Sequence, residues 1–318
     1  MPAKNIIFTS ASRATLGDGY ASDQVKLKRE RSPQLHNLIG FFQRQEKQIF
    51  SVQVLARRGV TAIALPNVES LLSDEGHFRP HAAFHPKIKL DGWNIQYPNS
   101  EEEAYHLHGD ILSILERKIQ QRLFAKSRPG DFIFGSERGP WASLETPNPF
   151  FGVTNGLLRR GVEGEEYWDL ETLKEWKGPE SEKPIYLPPP HVKMSVGHTC
   201  EAPENALLGT EMRAILSVIY NRVYQPGYEK ESVFPILYIS QYRFRLVRVI
   251  EAVFDLPQQK LTLKFTPTYS FLNRKEAPWD LFFRVSESLP RTLEEPPEKL
   301  STVSSKTEGN KTVAYSLD

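Results

Sequence analysis

Three features are scarce in this chain of 318 residues: cysteine, net charge and long apolar runs. Cys200 is the single cysteine, so no intrachain disulfide can form and a reducing compartment is favoured. The formal net charge is only +1, which excludes a strong overall field for nucleic acids or membranes. No apolar run approaches the roughly 18 residues that cross a bilayer, and residues 1–10 lack a secretory pattern. We therefore expect a cytoplasmic or nuclear protein without a membrane partner.

The composition is sufficient for a folded core. Apolar residues make up 39% of the chain and aromatic residues 11%, which excludes a wholly disordered protein. The predicted fold class is α+β, with a helix-rich N-terminal region packed on a C-terminal unit. We expect a flexible arm at 1–31 and the helix-rich region, with its Pro-, Gly- and aromatic-rich loops, at 32–190. The α+β unit is expected at 191–289 and a disordered tail at 290–318.

The boundary between the two halves is placed at the three prolines of residues 188–190, which favour an extended conformation. On the N-terminal side, Ser32 is a suitable N-cap and Pro33 fits the first position of a long helix. Gly59 can take the left-handed conformation that ends this helix. We also expect a short buried strand at 60–65, a second long helix at 100–128 and a short helix at 167–176.

The C-terminal unit is predicted to have the element order helix, strand, strand, strand, helix. The three strands are expected to pair as an antiparallel meander, with a tight turn at 256–259 between the second and the third. The predicted ranges of the five elements are 203–224, 234–240, 242–254, 260–269 and 278–288.

Five of the eight histidines fall within a short stretch of the chain. They are His77, His81, His85, His106 and His108. Imidazole with nearby carboxylates suits zinc or iron, so the stretch is a candidate metal site, although Pro80 and Pro86 interrupt a helix there. The alternative is a set of partly exposed histidines that bond to loop backbone.

A second candidate site is a basic strand surface. Alternation along residues 242–248 places Arg243 and Arg245 on one face, and Lys264 adds positive charge nearby. Arginines beside aromatic residues suit single-stranded nucleic acid. The alternative is a half-buried sheet with its aromatic residues inside and its arginines in solvent.

Cys200 has two nearby histidines, His191 and His198, that could activate a thiolate. A lone cysteine is more often a small buried apolar residue. Motifs for organic cofactors are absent from the sequence, because neither a G-x-x-x-x-G-K loop nor a G-x-G-x-x-G loop occurs.

The element order of residues 203–288 resembles the core of the PD-(D/E)XK nuclease superfamily. That resemblance implies a metal held by a Glu on the first helix, an Asp on the second strand and an acid-x-Lys on the third. Glu211 fits the helix position, Asp255 lies at the end of the second strand, and the third strand has no acid two residues before a lysine. The letters Glu175-Trp176-Lys177 fit but precede the unit, on the expected short helix. The resemblance therefore implies a degenerate nuclease-like core.

Several segments of the C-terminal unit also resemble a family of uncharacterised proteins from filamentous fungi. They are FPILYIS at 234–240, the arginine-rich strand up to Asp255, LTLK at 261–264 through YSF at 269–271, and APWDL at 277–281. The resemblance implies a fungal origin and an intracellular setting, and it supplies no catalytic residues.

Since no set of acids, bases and nucleophiles has the spacing of a known enzyme family, we expect a binding or scaffolding protein without catalysis. Its expected partner is another protein. The alternatives are a nucleic-acid-binding or degenerate nuclease-like protein that uses Arg243, Arg245 and Lys264, and a metal-dependent hydrolase that uses the histidine cluster.

Overall fold

The computed structural model describes residues 30–44, 49–73, 76–80, 141–143, 168–176, 189–198, 200–225, 227–242, 246–271 and 276–291. The helices of these residues are α1 Pro33–Arg44, α2 Val52–Ala56, α3 Val68–Leu71, α4 Gly209–Tyr224 and α5 Trp279–Ser286. The strands are β1 Ile49–Ser51, β2 Val60–Ala64, β3 Phe78–Arg79, β4 Trp141–Ser143, β5 Trp168–Trp176, β6 Val192–His198, β7 Ala206–Leu208, β8 Val233–Tyr242, β9 Leu246–Asp255, β10 Lys260–Phe265, β11 Tyr269–Ser270 and β12 Leu289–Pro290. None of these helices is long and apolar enough to cross a membrane.

The main sheet is mixed and eight-stranded, in the order β2-β10-β9-β8-β6-β5-β4, with β11 paired to β9. Strands β8, β9 and β10 pair antiparallel in sequence order. Strands β6 and β8 are parallel because the chain crosses between them through α4, the connection that a parallel pair requires. Strand β2 adds to β10 in parallel and forms one edge of the sheet.

Both faces of the sheet are covered. Alternate residues of β8 point to opposite faces, so Ile236 and Tyr238 belong to one core cluster, and Leu237 and Ile239 to another. The first cluster lies between the sheet and helices α1 and α4, and the second between the sheet and helices α3 and α5. Burial on both faces explains the almost continuous apolar run of β8, whose residues after the first are all buried.

The long N-terminal helix predicted from Ser32 is wrong in its length. It begins at Pro33 as predicted, but α1 ends at Arg44 and is followed by β1 and α2. Strand β1 pairs antiparallel with β7, a contact that helical continuation would exclude. Gly59 does have a positive φ of 76°, as its expected role required. The strand expected at 60–65 is β2, although only its first residue is fully buried because the strand lies at the sheet edge.

Four other predicted elements are corrected. Residues 168–176 form strand β5, where a helix was expected, because their backbone pairs with β6 on one side and β4 on the other. Helix α4 begins at Gly209, six residues later than predicted, since 206–208 pair with β1 as β7. Tyr242 ends β8, so the following strand starts at Leu246, and the third predicted strand is divided into β10 and β11.

The expected boundary at residue 190 falls between two paired strands. Strand β5, on its N-terminal side, pairs with β6 on its C-terminal side, and β2 pairs with β10. The two segments therefore share one sheet, and the described part of 32–190 contains strands β1 to β5 as well as three helices. The helix expected at 100–128, nearly all of the arm and nearly all of the tail lie outside the described residues.

Candidate functional site

An ion pair lies buried between α4 and the first face of the sheet. Glu211, at the start of α4, and Arg248, in β9, have no exposed surface. The guanidinium donates to both carboxylate oxygens of Glu211, and its Nη1 donates to the carbonyl oxygen of Ala206 at 2.9 Å. Glu211 also accepts hydrogen bonds from the Ser240 hydroxyl at 2.6 Å, the Tyr242 hydroxyl at 2.6 Å and the Leu208 backbone at 2.8 Å.

The charges of this pair stabilise each other. Burial raises the pKa of Glu211, but the positive charge of Arg248 and the hydrogen bonds outweigh burial, so the pKa lies below its ordinary value. Burial lowers the pKa of Arg248, and the Glu211 carboxylate outweighs it in turn, so that pKa is raised. Both oxygens of Glu211 are bonded and both residues are buried. We therefore interpret the ion pair as a structural contact that holds α4 against the sheet.

His198 extends this polar layer. Its Nε2 lies 2.8 Å from the Tyr238 hydroxyl and its Nδ1 lies 3.0 Å from the Thr210 hydroxyl. Both ring nitrogens of His198 are therefore bonded to hydroxyl groups. Cys200 is half-buried and packs against the cluster that contains Leu208 and Tyr242, as expected of a small apolar residue.

The positions suggested by the nuclease resemblance are not brought together. Asp255 accepts a hydrogen bond from the Gln258 backbone at 2.8 Å in the turn after β9. It lies seven residues from Arg248, or about 23 Å along an extended strand. Glu175 lies on strand β5, not on a helix, and pairs with Arg222 at 3.1 Å.

Glu251 is a buried acid at the centre of β9 that the sequence analysis missed. The available signal was a single carboxylate within the otherwise apolar run VIEAVF. Glu251 is three residues from Arg248 in the strand, so the two side chains point to opposite faces of the sheet. Its Oε1 accepts from the His77 backbone at 2.6 Å and lies 3.2 Å from His77 Nδ1.

His191 lies close to His77 on this second face. It is only 5% exposed, its ring meets Phe78 edge-on at 5.3 Å, and neither ring nitrogen has a hydrogen-bond partner among the described residues. Burial and the nearby charge of His77 lower the pKa of His191 to about 3. Proximity to the His77 backbone raises the pKa of His191, but the two groups do not form a hydrogen bond. His191 is therefore a neutral ring at physiological pH.

Of the five clustered histidines, only His77 belongs to the described residues; His81, His85, His106 and His108 lie outside them. Within the described part of the chain, no group of three or more His, Cys, Asp or Glu side chains could hold a metal ion. Arg243 and Arg245 also lie outside the described residues, while Lys264 is half-buried in β10, directly across from Glu251. The metal site and the basic strand surface stay predictions.

A basic groove lies on the other side of the sheet, between α1 and the end of α2. Its volume is about 560 Å³. It is lined by Gln34, Asn37, Leu38, Phe41, Arg44, Arg57, Arg58 and Gly59. All three arginines are exposed, and neither Asp nor Glu occurs among these eight described residues. The sequence does not reveal this groove, because the return of the chain beside α1 is a tertiary feature.

The guanidinium groups of the groove are presented in different ways. The Arg58 guanidinium lies 4.0 Å from the centre of the Phe41 ring, a cation–π contact that holds its plane against the aromatic face. Arg44 donates through Nε to the carbonyl oxygen of Gly40 at 2.8 Å, which fixes its stem along α1. The groove is thus a positively charged surface in which at least two arginines are oriented.

Comparisons of this chain with protein-family models, with curated proteins and with solved structures found no match.

Proposed function

We propose that the protein binds single-stranded nucleic acid through the basic groove between α1 and α2. The observation that carries the proposal is the grouping of Arg44, Arg57 and Arg58 around one groove whose described lining contains no carboxylate. In a chain with a net charge of only +1, such a local excess of positive charge favours a polyanion at this surface.

The chemistry of the groove fits phosphate groups. Arginine presents several donors in a planar fork that matches phosphate oxygens, and it remains charged at every physiological pH. The contact between Arg58 and Phe41 supports the orientation of one fork. Among the described residues only Nε of Arg44 forms a hydrogen bond, so its Nη groups can donate to a ligand. Because Arg58 covers the face of Phe41, an unpaired base would stack on the guanidinium plane of Arg58.

The test measures binding of fluorescently labelled 12-nucleotide single-stranded RNA and DNA by anisotropy at 50, 100 and 200 mM KCl. Arg57→Glu is compared with Lys230→Glu, which makes the same change in net charge at another exposed residue. We expect Arg57→Glu to weaken binding at least about tenfold, and Lys230→Glu to change it much less. Three phosphate contacts predict a logarithmic salt dependence of about −2 for a single strand, reduced by about 0.7 when one contact is lost.

Equal effects of the two substitutions, or no salt-dependent binding by the unaltered protein, would overturn the proposal. If Arg243→Glu and Arg245→Glu abolish binding while Arg57→Glu leaves it unchanged, the ligand binds at the strand surface predicted from the sequence. The expectation of a protein partner stays a prediction, since no described contact tests it.

A further inference from the structure

His77 is held rigidly on the second face of the sheet. Its backbone N–H donates to Glu251 Oε1 at 2.6 Å, and its carbonyl oxygen accepts from the Arg291 backbone at 2.7 Å. The next residues form β3, which pairs antiparallel with β12. Backbone contacts on both sides therefore fix the main chain at residue 77 independently of the bonds of the side chain.

The carboxylate of Glu251 also sets the tautomer of the imidazole. Carboxylate oxygens accept hydrogen bonds, so the 3.2 Å contact with Glu251 Oε1 favours the tautomer of His77 with its proton on Nδ1. The neutral ring then carries its lone pair on Nε2. The His77 side chain is 29% exposed, no described residue bonds to Nε2, and this atom is not among the buried side-chain atoms that lack a partner. Nε2 is thus an accessible proton acceptor.

The carboxylate of Glu251 is buried with one of its oxygens unpaired among the described residues, which is more typical of a functional site than of a structural hydrogen bond. The side chain is fully buried, yet Oε2 has no hydrogen-bond partner among the described residues, an arrangement that is costly and infrequent. Lys264 in β10 pairs with Glu251 in β9, and on the other side of β10 Ile63 in β2 pairs with Lys264. Cross-strand partners share a face, so the side chains of Lys264 and of the 41% exposed Ile63 project from the same face of the sheet as the carboxylate.

We propose that His77 and Glu251 form a general-base site that hydrolyses an apolar carboxylic ester. A water molecule gives a proton to His77 Nε2 while its oxygen attacks the carbonyl carbon of the ester. Glu251 keeps Nδ1–H in place as a positioning residue, and Lys264 stabilises the negative oxygen of the tetrahedral intermediate. When the bond to the alkoxide breaks, Nε2 returns the proton to the alkoxide, so that an acid and an alcohol leave. Ile63 provides an apolar contact for the acyl group. The site is independent of the basic groove, which lies on the other side of the sheet.

The test measures hydrolysis of 4-nitrophenyl butyrate by the full chain at pH 8. We expect His77→Gln to reduce the rate about 100-fold, the lower range for loss of a general base. Lys264→Met is expected to reduce it about tenfold. The control is His36→Gln, because His36 is also half-buried and its Nδ1 also bonds to an oxygen, the Ser32 carbonyl at 3.0 Å. This control should leave the rate unchanged.

A second measurement does not depend on any variant. The ¹⁵N chemical shifts of the unaltered protein above pH 8 should show His77 as the Nδ1–H tautomer, and Glu251→Gln should shift the population toward Nε2–H, with His36 unaffected. A tautomer with the proton on Nε2 in the unaltered protein would overturn the proposal. So would hydrolysis that is equal for the unaltered protein and His77→Gln, because the backbone contacts that place residue 77 persist in that variant.

Discussion

Replacing His191 by phenylalanine should make the protein less sensitive to acid. The folded pKa of His191 is about 3, against an ordinary value of 6.5. Between these values the unfolded chain binds a proton that the folded protein does not, so stability falls as the pH decreases from 6.5 towards 3. A pH of 5.0 lies about 1.5 units below the pKa of the unfolded ring. At 1.36 kcal/mol per unit, the free energy of unfolding is therefore lower by about 2 kcal/mol at this pH.

His191→Phe should remove this acid-dependent loss of stability and change the stability little in other respects. Phenylalanine retains a planar ring for the edge contact with Phe78, and it eliminates two buried nitrogens that lack partners among the described residues. We therefore expect the variant to be as stable as the unaltered protein at pH 7.5, or more stable. Between pH 7.5 and 5.0, it should lose about 2 kcal/mol less of its free energy of unfolding.

The assay is urea unfolding followed by tryptophan fluorescence at pH 7.5, 6.5 and 5.0. Trp141 is a suitable reporter because its ring stacks on Phe78 at 6.4 Å. His36→Phe is the control, since that ring is half-buried and its Nδ1 has the Ser32 carbonyl as partner. If the unaltered protein and His191→Phe lose the same free energy of unfolding over this range, then His191 is not buried as a neutral ring and the reasoning fails.

Two further predictions concern the fold. Glu211→Gln should lower the free energy of unfolding by about 3–5 kcal/mol, because it leaves the buried guanidinium of Arg248 without a counter-charge. The double variant with Glu211→Gln and Arg248→Met retains an acceptor for Ser240 and Tyr242 and removes the unpaired charge, so it should recover much of this loss in urea unfolding. A double variant no more stable than the single one would contradict the interpretation as an ion pair. Gly59→Ala should destabilise by about 1–2 kcal/mol, since φ is 76° and an added Cβ would lie 2.9 Å from Gln34 Nε2. Gly40→Ala, in the interior of α1, should instead stabilise by about 0.5–1 kcal/mol in the same assay, because an added Cβ would lie at an ordinary contact distance of 3.7 Å from Arg44 Nη2. Equal effects at both glycines would contradict the role of φ.

Part of the candidate site could be located from the sequence, and part could not. His77 and Lys264 were both identified as candidate side chains, but for two unrelated sites. The register of β9 and β10 places Lys264 across from Glu251, and the bond from Glu251 to His77 brings the three residues to one face. That grouping joins residues separated by 174 positions in the chain, so no local spacing could have revealed it.

The elements that the sequence by itself determined are those with a strong local signal. Strand β8, the turn at 256–259 and helix α5 lie within two residues of their predicted bounds, because apolar periodicity and turn residues act over a few positions. Only the tertiary structure decided that 168–176 is a strand, that the helix from Pro33 stops at Arg44, and that Glu211 and Glu251 lie on opposite faces of one sheet. Backbone pairing and charge neutralisation act between distant segments, and they outweigh the weak local preference of a polar stretch such as DLETLKEW.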